Sequence, residues 1–147
     1  MKLYLDMCVL KRPFDDQSDS RIAVETQAVI MLMGWFDAGI CAIANSEALI
    51  LENAHNRNLT RRERVAEMLH MFGKPESISS KTISRSIALR TRGFHDMDAL
   101  HIACAEHAGA DVFVTCDDAL IACAAKWQAR LDMPVKNPID LMRERKQ

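Results

Sequence analysis

Aromatic residues are scarce in this chain of 147 residues: five Phe, two Trp and one Tyr, 5% in all. A stacking platform of the kind that binds single-stranded nucleic acid is therefore not expected. Glycine (5) and proline (4) are also few, and no linker or low-complexity stretch divides the sequence. Cysteine occurs five times, at Cys8, Cys41, Cys104, Cys116 and Cys123, an odd number without a C-x-x-C pair. That argues against a disulfide framework and against a structural zinc site, and leaves small reduced core residues. The five histidines (His55, His70, His95, His101, His107) form no ligand motif. No run of about 18 apolar residues is present, so no membrane span is expected. The N-terminus enters a strand directly, without the basic and apolar regions of a secretion signal, and a cytoplasmic setting follows. Nor is there a Gly-rich phosphate loop, a Walker-type Lys or a Ser-His-Asp order. Charge of one sign is lacking too: the net charge is −1, from 19 basic and 20 acidic residues. A nucleic-acid binder of this balance needs its bases gathered on one face and its acids in the site.

What the sequence does have is 49% hydrophobic and 27% charged residues, the composition of a globular protein. Its length suits a single domain, residues 1–147, burying about two-thirds of its unfolded surface. Apolar runs alternate with helical patterns. Strands are expected at Lys2 to Leu5, Ile40 to Ala44, Asp111 to Thr115 and near Val135, with a weaker one between Glu76 and Ser80. Helices are expected from about Ser20 to Asp37, after Asn45 or Ser46, from a Thr60–Glu63 capping box to Phe72, from Lys81 to Arg92, from Asp96–Asp98 to Gly109, and from Asp117 or Asp118 to Arg130. Arg12 to Ser20 reads as a polar loop, and the segment after Pro138 as a frayed tail. Strands alternating with helices imply an α/β fold, a mainly parallel sheet of four to five strands with helices on both faces.

Carboxylates recur at or just past the ends of these apolar runs. Asp6 closes Leu3-Tyr4-Leu5, Glu47 and Glu52 follow Ile40 to Ala44, Asp98 opens an apolar helix, and Asp117 and Asp118 follow Val112 to Thr115. Each one alone is explained by helix capping. Together they are costly, because clustered acids repel and raise one another's pKa. A parallel sheet brings the carboxyl ends of its strands to one crevice, where a divalent cation would relieve that repulsion. Hard ions such as Mg²⁺ and Mn²⁺ take oxygen ligands, which points to metal-assisted chemistry on a phosphate.

Four blocks resemble the PIN domains, specifically their small VapC-type toxin members. They are Tyr4-Leu5-Asp6-Met7-Cys8-Val9-Leu10, Asn45-Ser46-Glu47-Ala48-Leu49-Ile50-Leu51-Glu52, Asp98-Ala99-Leu100-His101-Ile102-Ala103-Cys104-Ala105, and Phe113-Val114-Thr115-Cys116-Asp117-Asp118-Ala119-Leu120. The resemblance implies a PIN-like α/β/α sandwich and a Mg²⁺- or Mn²⁺-dependent ribonuclease, the toxin of a toxin–antitoxin pair. It places the acidic quartet on Asp6, Glu52, Asp98 and Asp117, with Asp6, Asp98 and Asp117 as metal ligands and Glu52 as ligand or water-orienting acid. Glu47 is the alternative second acid, Asp118 could replace Asp117, Asp96 could support Asp98, and Thr115 could orient a carboxylate or a water. One departure stands out: Met7 and Cys8 occupy positions where the family places Thr or Ser and Asn, which leaves Asp6 with weaker side-chain donors. Lys11 and Arg12 are the first candidates for contacts to the RNA backbone, ahead of Arg57 to Arg64 and Arg85 to Arg92. RNA, a cognate antitoxin and a second copy of the chain are the partners this implies. Two rivals remain open: a PIN scaffold that binds RNA or protein without cutting, and a metal-dependent phosphatase of another Rossmann-like fold.

Overall fold

A computed structural model describes residues 1–146. Two strands, β1 (Lys2–Leu5) and β3 (Val112–Val114), sit at the centre of a four-stranded sheet, flanked by β2 (Ala42–Ile43) and β4 (Val135–Lys136) in the order β2-β1-β3-β4. All three pairings are parallel, with Leu3 opposite Ile43 and Val112, and Phe113 opposite Val135. Leu3, Tyr4, Leu5 and all of Val112–Val114 are buried, as expected of central parallel strands covered on both faces, whose sequences read as continuous apolar runs. Tyr4 and Phe113 stack across the strand pair at 5.3 Å. The chain runs from β1 outward to β2, then returns to the other side of β1 to lay down β3. The direction of winding therefore reverses between β1 and β3, and a crevice opens there at the carboxyl ends of the strands.

Among the described residues eight α-helices flank the sheet: α1 (Met7–Lys11), α2 (Ser20–Asp37), α3 (Glu47–Ala54), α4 (Leu59–Phe72), α5 (Ser80–Arg90), α6 (Asp96–His107), α7 (Asp118–Lys126) and α8 (Pro138–Lys146). Their caps follow local chemistry. Asp19 accepts from Arg21 and Ile22 N–H at the start of α2, Ser46 from Leu49 N–H at α3, and Asp117 from Ala119 and Leu120 N–H at α7. Past the end of α2, Gly39 takes φ 73°, the left-handed conformation that glycine adopts without penalty. One hydrophobic cluster runs from Leu3 to Met142.

Several expectations need correction. α4 begins at Leu59 and is capped by Asn58, whose side chain accepts from Arg61 N–H, so the Thr60–Glu63 box is not used; the capping box lies instead at Ser79 and Thr82, opening α5. Glu76 to Ser80 contributes only a single parallel bridge, Ser46 to Glu76. The polar stretch after Asp6 is not a loop from Arg12 onward: α1 runs into a 3₁₀ turn, Arg12–Phe14. α7 stops at Lys126, and Gln128–Arg130 forms a separate 3₁₀ turn. The segment after Pro138 is helical, because Pro138 is preorganised for a first turn, Asn137 receives Ile139 N–H at 2.8 Å, and Leu141 and Met142 are buried.

Candidate active site

Asp6 leaves the end of β1 and caps α1; it is 7% exposed. Its Oδ1 accepts from Met7 N–H at 2.8 Å and its Oδ2 from the Thr115 hydroxyl at 2.8 Å. Thr115 follows β3 directly and in turn receives Asp117 N–H at 3.1 Å. Two neighbouring parallel strands thus present Asp6 and Asp117 side by side through one threonine. Asp117 spends Oδ1 on the first amides of α7, Ala119 at 2.9 Å and Leu120 at 3.2 Å. Asp98 sits in the first turn of α6. Glu52 reaches in from the second turn of α3.

These four carboxylates line one open cleft of about 300 Å³, together with Met7, Cys8, Lys11 and Asp15. Burial, then the charges of Asp6 and Asp117, push the Asp98 carboxyl up to about 6. Burial raises Asp6 as well, while His101 and the Thr115 hydrogen bond pull it back. The donor set is all oxygen and mutually repulsive, which suits a hard divalent cation. Among the described residues no three His, Cys, Asp or Glu side chains stand close enough to clasp one ion.

The alternates lie elsewhere. Glu47, five residues before Glu52 on α3, turns away from the cleft to accept Ile78 N–H at 3.2 Å. Asp96 is exposed and pairs with Arg90 at 3.4 Å. Asp118 forms a two-pronged pair with Arg21, both contacts 2.7 Å. Arg12 also departs from expectation, because its head turns inward. It lies 3.0 Å from Asp15 and 3.1 Å from Oε1 of the fully buried Glu25, the latter without hydrogen-bond alignment. Glu25 is completed by Asn137 at 2.6 Å and Arg21 at 3.4 Å. Of the two basic candidates only Lys11 lines the cleft, and it has no ion pair among the described residues.

The Met7 and Cys8 departure has a concrete outcome. Met7 is buried in the core, and its backbone N–H, not its side chain, serves Asp6. Cys8 Sγ accepts Cys116 N–H at 3.3 Å and lies 3.3 Å from Thr115 Oγ1 and 3.5 Å from Asp6 Oδ2. Asp6 is therefore held chiefly by Thr115 and the α1 amide.

A set of polar groups behind Glu52 was not singled out in the sequence. Glu52 Oε1 lies 3.1 Å from His101 Nε2; His101 Nδ1 lies 2.7 Å from the Tyr4 hydroxyl; that hydroxyl lies 2.7 Å from Ser46 Oγ. His101, Tyr4 and Ser46 are all 0% exposed. The signal was present: a lone histidine inside Ala99 to Ala105, one turn past Asp98.

The sequence model of the PIN domain matches residues 3–126, most of the chain and all four acids. The chain belongs to the PIN domain family. That membership removes the rival of a phosphatase from another Rossmann-like family. No curated protein matches the sequence. Among solved structures the PIN domain superposes on a chain of the crystal structure of VapBC2 from Rickettsia felis bound to a DNA fragment from their promoter, with a TM-score of 0.61 and 15% identity, over 93% of this chain and 98% of that one. At that identity the likeness speaks for the fold.

Proposed function

We propose that this PIN domain is a Mg²⁺- or Mn²⁺-dependent endoribonuclease, the toxin of a cytoplasmic toxin–antitoxin pair with a cognate antitoxin as partner. The observation that carries the reading is the meeting of Asp6, Glu52, Asp98 and Asp117 in one cleft at the reversal of strand order. Asp6, Asp98 and Asp117 are the residues that would hold the ion, with water bridging where the carboxylates stand too far apart to bind it directly together. When bound, it supplies positive charge against the charge developing on phosphorus and makes a nearby water more acidic.

The chain's own residues do the rest. Thr115 and the Met7 amide fix both oxygens of Asp6, and the α7 amides fix one oxygen of Asp117, leaving the other for the cleft. Preorganised carboxylates need no rearrangement as charge develops. Glu52, with one oxygen tied to His101, offers the other to the attacking water and accepts its proton. Lys11 holds a backbone phosphate as a point charge. Water adds to phosphorus, the phosphodiester P–O bond breaks, and the departing oxygen is protonated from solvent.

The deciding assay is cleavage of a mixed RNA pool by purified protein with Mn²⁺, with EDTA, and with the Asp98→Asn variant. Cleavage with Mn²⁺ that EDTA and Asp98→Asn both abolish supports the proposal. RNA binding without cleavage under all conditions would instead establish the non-catalytic scaffold.

A further inference from the structure

The buried groups behind Glu52 form a chain whose hydrogen-bond direction can be worked out from its ends. At one end Leu49 N–H, 3.1 Å from Ser46 Oγ, can only donate. At the other, an ionised Glu52 can only accept. With a neutral imidazole between them, His101 Nε2–H donates to Glu52 Oε1, the Tyr4 hydroxyl donates to His101 Nδ1, and the Ser46 hydroxyl donates to Tyr4. Each donor in this chain has an acceptor, and each link spans 2.7 to 3.1 Å. An imidazole with no exposed surface would otherwise be an expensive core residue.

We infer that His101 is a positioning residue, held as its Nε2–H tautomer by Tyr4 and Ser46, that fixes the carboxylate of Glu52 toward the cleft. The inference rests on the nuclease reading of the site. Glu52 needs such a device, because its side chain is 28% exposed on the short helix α3 and none of the backbone amides that hold Asp6 and Asp117 reaches it. The chain joins three elements. Tyr4 belongs to β1, His101 to α6, and Ser46 caps the helix that carries Glu52. The orientation of Glu52 is thereby tied to the strand that ends in Asp6 and the helix that begins near Asp98. Outer partners of this kind are worth about 10- to 100-fold in activity or metal affinity.

Two measurements test this. In long-range ¹H–¹⁵N NMR spectra of the metal-free protein at pH 8, His101 should carry its proton on Nε2 and none on Nδ1; a proton on Nδ1 overturns the chain whatever the protein catalyses. In saturating-RNA kinetics with Mn²⁺, His101→Ala should lower kcat about 10-fold or more with KM unchanged. His101→Gln, which keeps a donor for Glu52, should recover most of that loss, and Tyr4→Phe, which keeps the ring stacked on Phe113, should lower kcat several-fold. Equal impairment of the Ala and Gln variants, or full activity of Tyr4→Phe, would refute a positioning role. Should His101→Ala fail to fold, the Gln and Phe variants still decide. If the wild type cuts no RNA, the nuclease reading fails, and the NMR spectrum alone judges the tautomer.

Discussion

Asp98 is where the electrostatic cost of the cleft is most visible. Its carboxyl is pushed up to about 6 by burial and by Asp6 and Asp117, against about 3.9 in an unfolded chain. Between those values the folded protein binds more protons than the unfolded one, so stability falls as pH rises from about 4 to 6. Below that window the contribution is favourable, and above it the ionised cleft costs stability. Asp98→Asn should therefore flatten this part of the pH profile and stabilise the metal-free protein at pH 7.5 by roughly 1 kcal/mol, after discounting for the half of the group that faces water. Part of the gain is offset by the loss of a charge from the first turn of α6, worth about 0.3–1 kcal/mol. Urea unfolding in EDTA at pH 4.5, 6 and 7.5 checks this. A variant less stable than wild type at pH 7.5 would mean the acids are not in repulsive contact.

The segment from α1 through the 3₁₀ turn separates two basic neighbours that the sequence places together. Lys11 ends α1 over the cleft, whereas Arg12 begins the next turn and points at Glu25. Their alanine variants should part accordingly. Lys11→Ala should reduce the slope of log RNA affinity against log salt by about 0.7, the value of one single-strand phosphate contact, with little change in stability. Arg12→Ala should leave the slope unaltered and cost about 2 kcal/mol or more, below the ~3–5 of a fully broken buried pair because Arg21 and Asn137 still serve Glu25. Salt-titrated binding and urea unfolding of both variants check the division; a slope change in Arg12→Ala would contradict it. The same segment shows what the sequence conceals. Strands β1 and β3 and helix α6 are legible because their apolar runs are continuous, and the motif register sets Asp6, Asp98 and Asp117 at their ends. The inward turn of Arg12 is not legible, because it depends on Glu25 in α2 and Asn137 before α8, 13 and 125 residues away along the chain. The choice between Glu47 and Glu52 depends likewise on Ile78, whose amide occupies Glu47. Local spacing carries no information about partners that the fold brings together. Cap chemistry misled once, where Asn58 rather than Thr60 opened α4, since a box pattern competes with any other Asn, Asp or Ser nearby.

At the scale of the whole molecule, a nearly neutral chain gathers five of its 20 acids around the cleft where strand order reverses. Asp6, Glu52, Asp98 and Asp117 come from positions spread over 112 residues, and the sheet brings them to one cleft. On the proposed reading this arrangement collects a divalent cation, and the folded metal-free protein bears the repulsion in the meantime. A ligand that binds only the folded state stabilises it by RT ln(1 + [L]/Kd), about 2.7 kcal/mol at 100 times Kd. For a chain of this size that is about 5–10 °C in Tm. The most direct measurement is the Tm of the wild type and of Asp98→Asn across a Mn²⁺ titration from EDTA to 10 mM. The wild type should start lower and climb by several degrees, while Asp98→Asn should start higher and barely move. A wild-type Tm that stays flat across the titration, or an equal climb in both proteins, would contradict it.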